Sequence, residues 1–251
     1  MRALIIALVL LITALPAQAE RLVSSVSRPE VSITSSFDGE TLTLFGNIEP
    51  EAGAVAPVSG PYHVVIAVTG PLQDRVARRK SNFFGIWLNS EQVLFEGFPS
   101  YFHILSDAKL SNITDQATLA GLMLSPARQA QAAAQGNWYA ALYFSQEIVR
   151  LMDEQGRFSV NEQGVLFRSD TFYSAQVTLQ SDVPPGPYLV HTYLFKDGVL
   201  IAERSEGFSV RKSGFERFLG LAAVEQPLLY GLCAVVLALF TGWLGGVVFR
   251  R

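Results

Sequence analysis

The feature that most constrains this chain is its last stretch, Leu228 to Phe249, an uncharged apolar run that stops at Arg250 and Arg251. As a helix rising 1.5 Å per residue it would measure roughly 33 Å, enough for a hydrocarbon core of about 30 Å. Whatever precedes it is therefore expected to be a body tethered at a membrane surface.

The other end carries a second apolar segment of different character. Arg2 precedes a run from Ala3 to Leu15, then Pro16 and the small residues Ala17 and Ala19 around Gln18. This is the pattern of an export signal over residues 1–19, cleaved before Glu20. An uncleaved N-terminal anchor is the alternative, but the run is short for a span and the small-residue site is well placed. An exported N-terminus followed by a stop-transfer helix puts the body outside the cytoplasm and residues 250–251 inside, in agreement with the positive-inside bias. On this reading no folded cytoplasmic part follows Arg251.

With 49% apolar residues and only 16% charged ones, the body has the composition of a folded domain rather than a disordered stalk. The 19 basic groups are outnumbered by 22 acidic ones. That balance argues against a nucleic-acid partner. The sole cysteine, Cys233, falls inside the apolar run. The body is thus expected to stand without an internal disulfide, on its core alone.

Alternation of apolar and polar residues marks most of the body as strands. Val31, Ile33, Ser35 and Phe37 share one side, Asp38-Gly39 follows, and Leu42 and Leu44 return, which reads as a hairpin. A second hairpin is expected at Asp197-Gly198, between Tyr188–Phe195 and Val199–Ala202. Tyr62–Val68, Phe83–Leu88, Tyr101–Leu105 and Phe172–Leu179 also read as strands, the last with Tyr173, Ala175, Val177 and Leu179 inward. Between about 114 and 156 the spacing becomes helical, with Trp138, Ala141, Leu142, Ser145, Ile148, Val149 and Met152 on one face. A separate helical domain of about 40 residues would struggle to bury its own core.

The expected fold is therefore mainly β: an immunoglobulin-like β-sandwich over residues 20–212 with a helical insertion, plus one C-terminal transmembrane helix. Ser213-Gly214-Phe215-Glu216 has capping-box spacing, which opens a juxtamembrane helix over 213–227. Pro227 then marks the first turn of the span or a hinge before it.

Motifs for chemistry are sparse. His63, His103 and His191 each fall in an expected strand without ligand spacing, so structural or surface roles are expected for all three and no metal. Serine-nucleophile elbows, phosphate loops and dinucleotide fingerprints are missing from the sequence, so neither catalytic residues nor a cofactor can be assigned. A non-enzymatic role is the expectation.

Two patterns remain as candidates. Arg78, Arg79 and Lys80 lead into Gly85-Ile86-Trp87 and then Pro99-Ser100-Tyr101, a basic cluster followed by aromatics. Arg78, Arg79, Lys80, Trp87 and Tyr101 could meet an anion, lipid headgroups or an acidic protein surface. A solvated turn before a core strand is the alternative. In the span, Ala234, Ala238, Gly242 and Gly246 recur every four residues, a stripe that admits another helix at close range. Gly and Ala are also common in membrane helices generally. The stripe implies a homodimer or docking on a multi-spanning protein.

The Val31-Ser32-Ile33 strand, Phe37-Asp38-Gly39, Phe45-Gly46, the Arg78-Arg79-Lys80 to Gly85-Ile86-Trp87 block, Pro99-Ser100-Tyr101 and the single C-terminal span together resemble the alphaproteobacterial putative transmembrane protein family. That family has no catalytic residues to transfer. Its members are often encoded beside a sulfite-exporter-type permease. The resemblance implies a bacterial inner-membrane protein with a periplasmic domain, acting as an accessory subunit of a membrane permease. A periplasmic module that binds a small anion, such as an oxidised sulfur species, through Arg78, Arg79 and Lys80 is the other reading.

Overall fold

The computed structural model describes residues 20–34, 36–50, 60–213 and 215–248. The expected signal over 1–19, Gly214 of the capping box, Phe249 and the terminal arginines lie outside them.

Twelve strands and six helices follow in the described chain. The strands are β1 (Glu20–Val26), β2 (Glu30–Ile33), β3 (Gly39–Pro50), β4 (His63–Thr69), β5 (Leu72–Phe83), β6 (Ile86–Pro99), β7 (Phe102–Ser106), β8 (Phe158–Asn161), β9 (Val165–Phe167), β10 (Phe172–Gln180), β11 (Gly186–Lys196) and β12 (Val199–Lys212). The helices are α1 (Leu110–Ile113), α2 (Gln116–Gly121), α3 (Pro126–Ala133), α4 (Trp138–Glu154), α5 (Phe215–Glu225) and α6 (Pro227–Val248).

One sheet has the order β1-β3-β10-β9 and the other β2-β12-β11-β4-β7-β8. In strand order, the first is the A-B-E-D sheet of an immunoglobulin-type sandwich, and β12-β11-β4 is its G-F-C sheet. A second signature agrees: near the start of β11 the buried Tyr188 hydroxyl donates to the Pro184 carbonyl at 2.8 Å, forming the tyrosine corner of such sandwiches. The immunoglobulin-like expectation holds.

β10 alternates as the sequence predicts, with Tyr173, Ala175, Val177 and Leu179 buried and the intervening residues outward. They meet Leu42, Leu44 and Ile48 of β3 and Val64, Ile66 and Val68 of β4 in the core between the sheets. Asp197-Gly198 makes the β11–β12 turn, both residues at positive φ as a two-residue hairpin requires.

Asp38-Gly39 does not make a hairpin. β2 joins the six-stranded sheet, parallel to β12, while β3 pairs with β1 and β10 in the other sheet. The segment is a crossover between sheets. Gly39 is needed there because a Cβ would lie 2.8 Å from the Leu179 carbonyl oxygen. A turn dipeptide sets the local bend; which partner each strand finds is decided by long-range pairing.

The strand β4 is apolar on both faces because the six-stranded sheet is covered twice. Val65 and Ala67 point away from the sandwich into a second core with Phe102 and Ile104 of β7, Tyr193 and Phe195 of β11, and the helices. The helical segment is thus a third layer, starting at Leu110 rather than near 114. On α4 the inward residues are Phe144, Ser145, Ile148 and Met152. Trp138 is exposed instead of inward, since it sits in the first turn, beyond the reach of that core. α5 and α6 follow β12, and α6 begins at Pro227, the first-turn position where a missing N–H costs nothing.

Candidate functional site

The feature the fold leaves unexplained is the long two-stranded ribbon β5–β6, inserted between β4 and β7 and paired with no other sheet. Its root is held firmly. On β6, Val93, Phe95 and Phe98 are buried in the second core, with Phe98 5.3 Å from the Phe158 ring and 5.6 Å from Phe95. The alternation carries Leu94 outward, where its carbonyl accepts from the Gln135 N–H at 2.7 Å. A register shift between Gln73 and Arg75 is stabilised by Asp74, whose carboxylate accepts the N–H of Gly97 at 2.9 Å.

Beyond Val93 the ribbon becomes an arm. Phe83, Phe84, Ile86, Trp87 and Leu88 are all exposed, Phe84 at 95% and Trp87 at 66%. The turn is Phe84-Gly85, both at positive φ, with the Asn82 side chain accepting the Gly85 N–H at 2.8 Å. An aromatic residue at positive φ is rare and strained. The expected strand Phe83–Leu88 is therefore a hairpin tip, because the two-residue turn falls in its middle.

The structure distributes the predicted interaction residues along this arm, with one exception. Arg78, Arg79 and Lys80 lie on β5 below the tip, and Trp87 lies at the tip, opposite Asn82. Arg79 is engaged: it pairs with Glu91 across the ribbon at 2.9 Å, and its guanidinium lies 5.6 Å from the centre of the Tyr143 ring on α4. Consecutive strand residues point to opposite faces, so the three cations do not converge on one anion. Tyr101 does not belong to the surface at all. It is 2% exposed, stacked on His103 at 4.1 Å and packed on Tyr188 in the inter-sheet core. Pro99-Ser100 turns the chain inward just before it, so proximity in sequence to the arm misleads. Between β5 and α4 runs a groove of about 520 Å³ lined by Arg75, Arg78, Tyr143 and Glu147 among others.

Each histidine has structural partners. His63 Nδ1 lies 2.7 Å from Asp107 Oδ2, and the other oxygen of that carboxylate accepts the Val64 N–H. His191 pairs with Ser205 at 2.8 Å. His103 is bracketed: its Nε2–H donates to the Gly156 carbonyl at 3.0 Å, and its Nδ1 lies 3.0 Å from the Tyr101 hydroxyl, which also reaches the Thr178 carbonyl at 3.4 Å. Burial holds its pKa below the ordinary 6.5, although the Gly156 carbonyl opposes this. No group of three metal-capable side chains occurs among the described residues.

The burial of His103 gives a pH dependence. The unfolded chain binds a proton near pH 6.5 that the folded chain resists, so stability is full above that pH and declines as pH falls below it. Denaturant midpoints taken across this range are expected to fall with acidification, and His103→Gln should flatten that slope. Glu20 adds a separate, more acidic window. Burial raises its pKa, but hydrogen bonds from Lys196 at 2.9 Å and Tyr62 at 3.1 Å outweigh it and hold the carboxylate below 4.5.

The helix α6 is the remaining candidate surface. It is the one described helix long and apolar enough to cross a bilayer, with a mean hydropathy of 2.0 and none of its span buried against the body. Ala234, Ala238, Gly242 and Gly246 all lie on it, exposed.

An immunoglobulin-type sandwich with a helical layer and an aromatic-tipped arm is followed, among the described residues, by one helix fit to span a membrane, the mark of a transmembrane protein. The chain belongs to the family described as putative transmembrane protein (Alph_Pro_TM), whose model matches residues 21–251. No curated protein matches the chain.

Proposed function

We propose that this protein is a non-catalytic accessory subunit of an inner-membrane permease, its sandwich in the periplasm and its C-terminus in the cytoplasm, recognising its partner through α6. The observation that carries this is the openness of Gly242 and Gly246. A Cβ built on either would meet nothing within 4 Å, and neither glycine has a positive φ. Nothing among the described residues requires a glycine there, although each costs a helix interior about 1 kcal/mol relative to alanine. In lipid, where helices associate by packing rather than by hydrophobic drive, such a stripe is compensated by the close approach of a second helix. The non-catalytic reading is supported by the histidines, each held by partners within the fold.

The test is association in mild detergent. Gly242→Leu with Gly246→Leu is expected to abolish capture of the permease, while leaving the sandwich folded, because neither glycine touches it. Capture undiminished by the double substitution, or recovery of the protein alone from the unsubstituted chain, defeats the reading. Recovery of a stable homodimer without a permease would assign the stripe to self-association instead.

A further inference from the structure

We propose that the β5–β6 arm is a second membrane contact, its tip inserting into the anionic lipid leaflet on the side of the body. Four observations converge on lipid. The tip presents Phe83, Phe84, Ile86, Trp87 and Leu88 on both faces of a bare two-stranded ribbon, so no face is set aside for the protein's own core. Exposing such a cluster to water is unfavourable, and tryptophan favours the membrane interface.

Behind the tip the charge changes sign relative to the rest of the molecule. From Arg78 round the turn to Glu91 the arm carries Arg78, Arg79 and Lys80 against Glu91 alone, in a chain of net charge −3. Arg79 is occupied by Glu91, which leaves Arg78 and Lys80 facing outward.

The spacing matches a bilayer. Phe84 and Lys80 are four residues apart, about 14 Å along a strand. An apolar tip sunk about 5–10 Å past the headgroup boundary sets Lys80 among the phosphates. Arg78, two residues further back, stays within a Debye length of about 8 Å of them.

The arm also starts from the right place. β4 and β12 both run antiparallel to β11, hence in the same direction as each other, so β4 delivers the chain to the arm at the end of the sandwich where β12 exits toward α6. Gly186, which is paired with Val210 near the end of β12, approaches so closely that a Cβ on it would lie 2.9 Å from Pro71 at the arm's root. The arm and the span are therefore rooted at one end of the body; from that root β5 runs along α4, with Arg79 over Tyr143, and its six residues beyond Ala77 carry the free arm about 20 Å further. A second copy is a poorer occupant, because a two-fold contact between tips would set the same cations against each other.

This inference is independent of what α6 docks against, and its test reads the tip alone. Trp138→Phe and Trp243→Phe leave Trp87 as the sole tryptophan of the full chain. The protein is reconstituted in mixed phosphatidylcholine–phosphatidylglycerol vesicles and in pure phosphatidylcholine. Trp87 fluorescence is expected to be quenched by acyl-chain-brominated lipid and protected from aqueous acrylamide in the anionic vesicles. Arg78→Gln with Lys80→Gln should lower the inserted-to-free ratio there by about thirtyfold, at roughly 1 kcal/mol per basic residue, and leave it unchanged in phosphatidylcholine. Full acrylamide access with no lipid quenching overturns the proposal. So does shielding from both quenchers, which would place a protein surface over the tip, and so does a Gln variant indistinguishable from its parent.

Discussion

Phe98→Ala is expected to lower the unfolding free energy by about 3–5 kcal/mol and to loosen the arm from the body. Phe98 is fully buried, in contact with Phe95 and Phe158, near the end of β6 in the root that anchors the ribbon in the second core. Truncation removes the transfer energy of a benzyl group and leaves a cavity that the neighbouring rings cannot close, since Phe158 is itself fixed by β7 pairing and by Phe102. Against a total stability of about 5–15 kcal/mol this is a large fraction. Denaturant titration of the full chain in detergent measures the loss, and proteolysis within β5–β6 should accelerate in parallel. Phe84→Ala at the tip is the control: a side chain that packs against little besides Phe83 should change stability by no more than about 0.5 kcal/mol. Equal losses at the two positions would mean that the arm is not anchored at Phe98.

Gly46→Ala is expected to destabilise by about 3 kcal/mol or more, against the usual direction for such a change in a strand. Alanine ordinarily improves on glycine there by about 0.5–1 kcal/mol, through backbone entropy. At Gly46 the new Cβ would fall on the Tyr173 hydroxyl and on the carbonyl oxygen of Val23. One obstacle is a side chain and the other is backbone in β1, so Gly46 is needed by both neighbours of β3 at once. Overpacking of a tight core costs about 1–3 kcal/mol in general, and a backbone clash lies at or above the upper end. Adding Tyr173→Phe should recover only part of the loss, because the Val23 carbonyl cannot be moved without shifting β1. A stabilising Gly46→Ala would show that β1 pairs more loosely than its register implies.

Several elements were readable from the sequence for a common reason: their neighbours merely reinforce a local pattern. Period-two alternation in β10, the Asp197-Gly198 turn and the uncharged run of α6 each depend on residues a few positions apart. The elements that departed from expectation are those where a distant partner decides. β2 and β3 flank a turn-forming dipeptide yet belong to different sheets, because β2 finds β12. Trp138 fits the helical face by spacing yet stays exposed, because the core beneath α4 is centred on Phe144 and Ile148.

The candidate site was half readable. The basic cluster and Trp87 were legible as composition, but the arm was not. Its signals, Asn82 three residues before Gly85 and a run of aromatics, resemble an ordinary core strand until the fold shows that no described residue covers them. Tyr101 shows the converse, since an aromatic two residues past the arm is drawn into the inter-sheet core by Tyr188 and His103.

By itself the sequence determined the apolar span, the β character of the body and the turn chemistry, because hydrophobic length and period are properties of neighbouring residues. Tertiary structure alone decided which strands share a sheet, that the helical segment covers a second core, and that residues 78–88 stand out as a bare aromatic arm. The physical reason is that burial depends on what packs above a residue, and those packing partners come from distant parts of the chain.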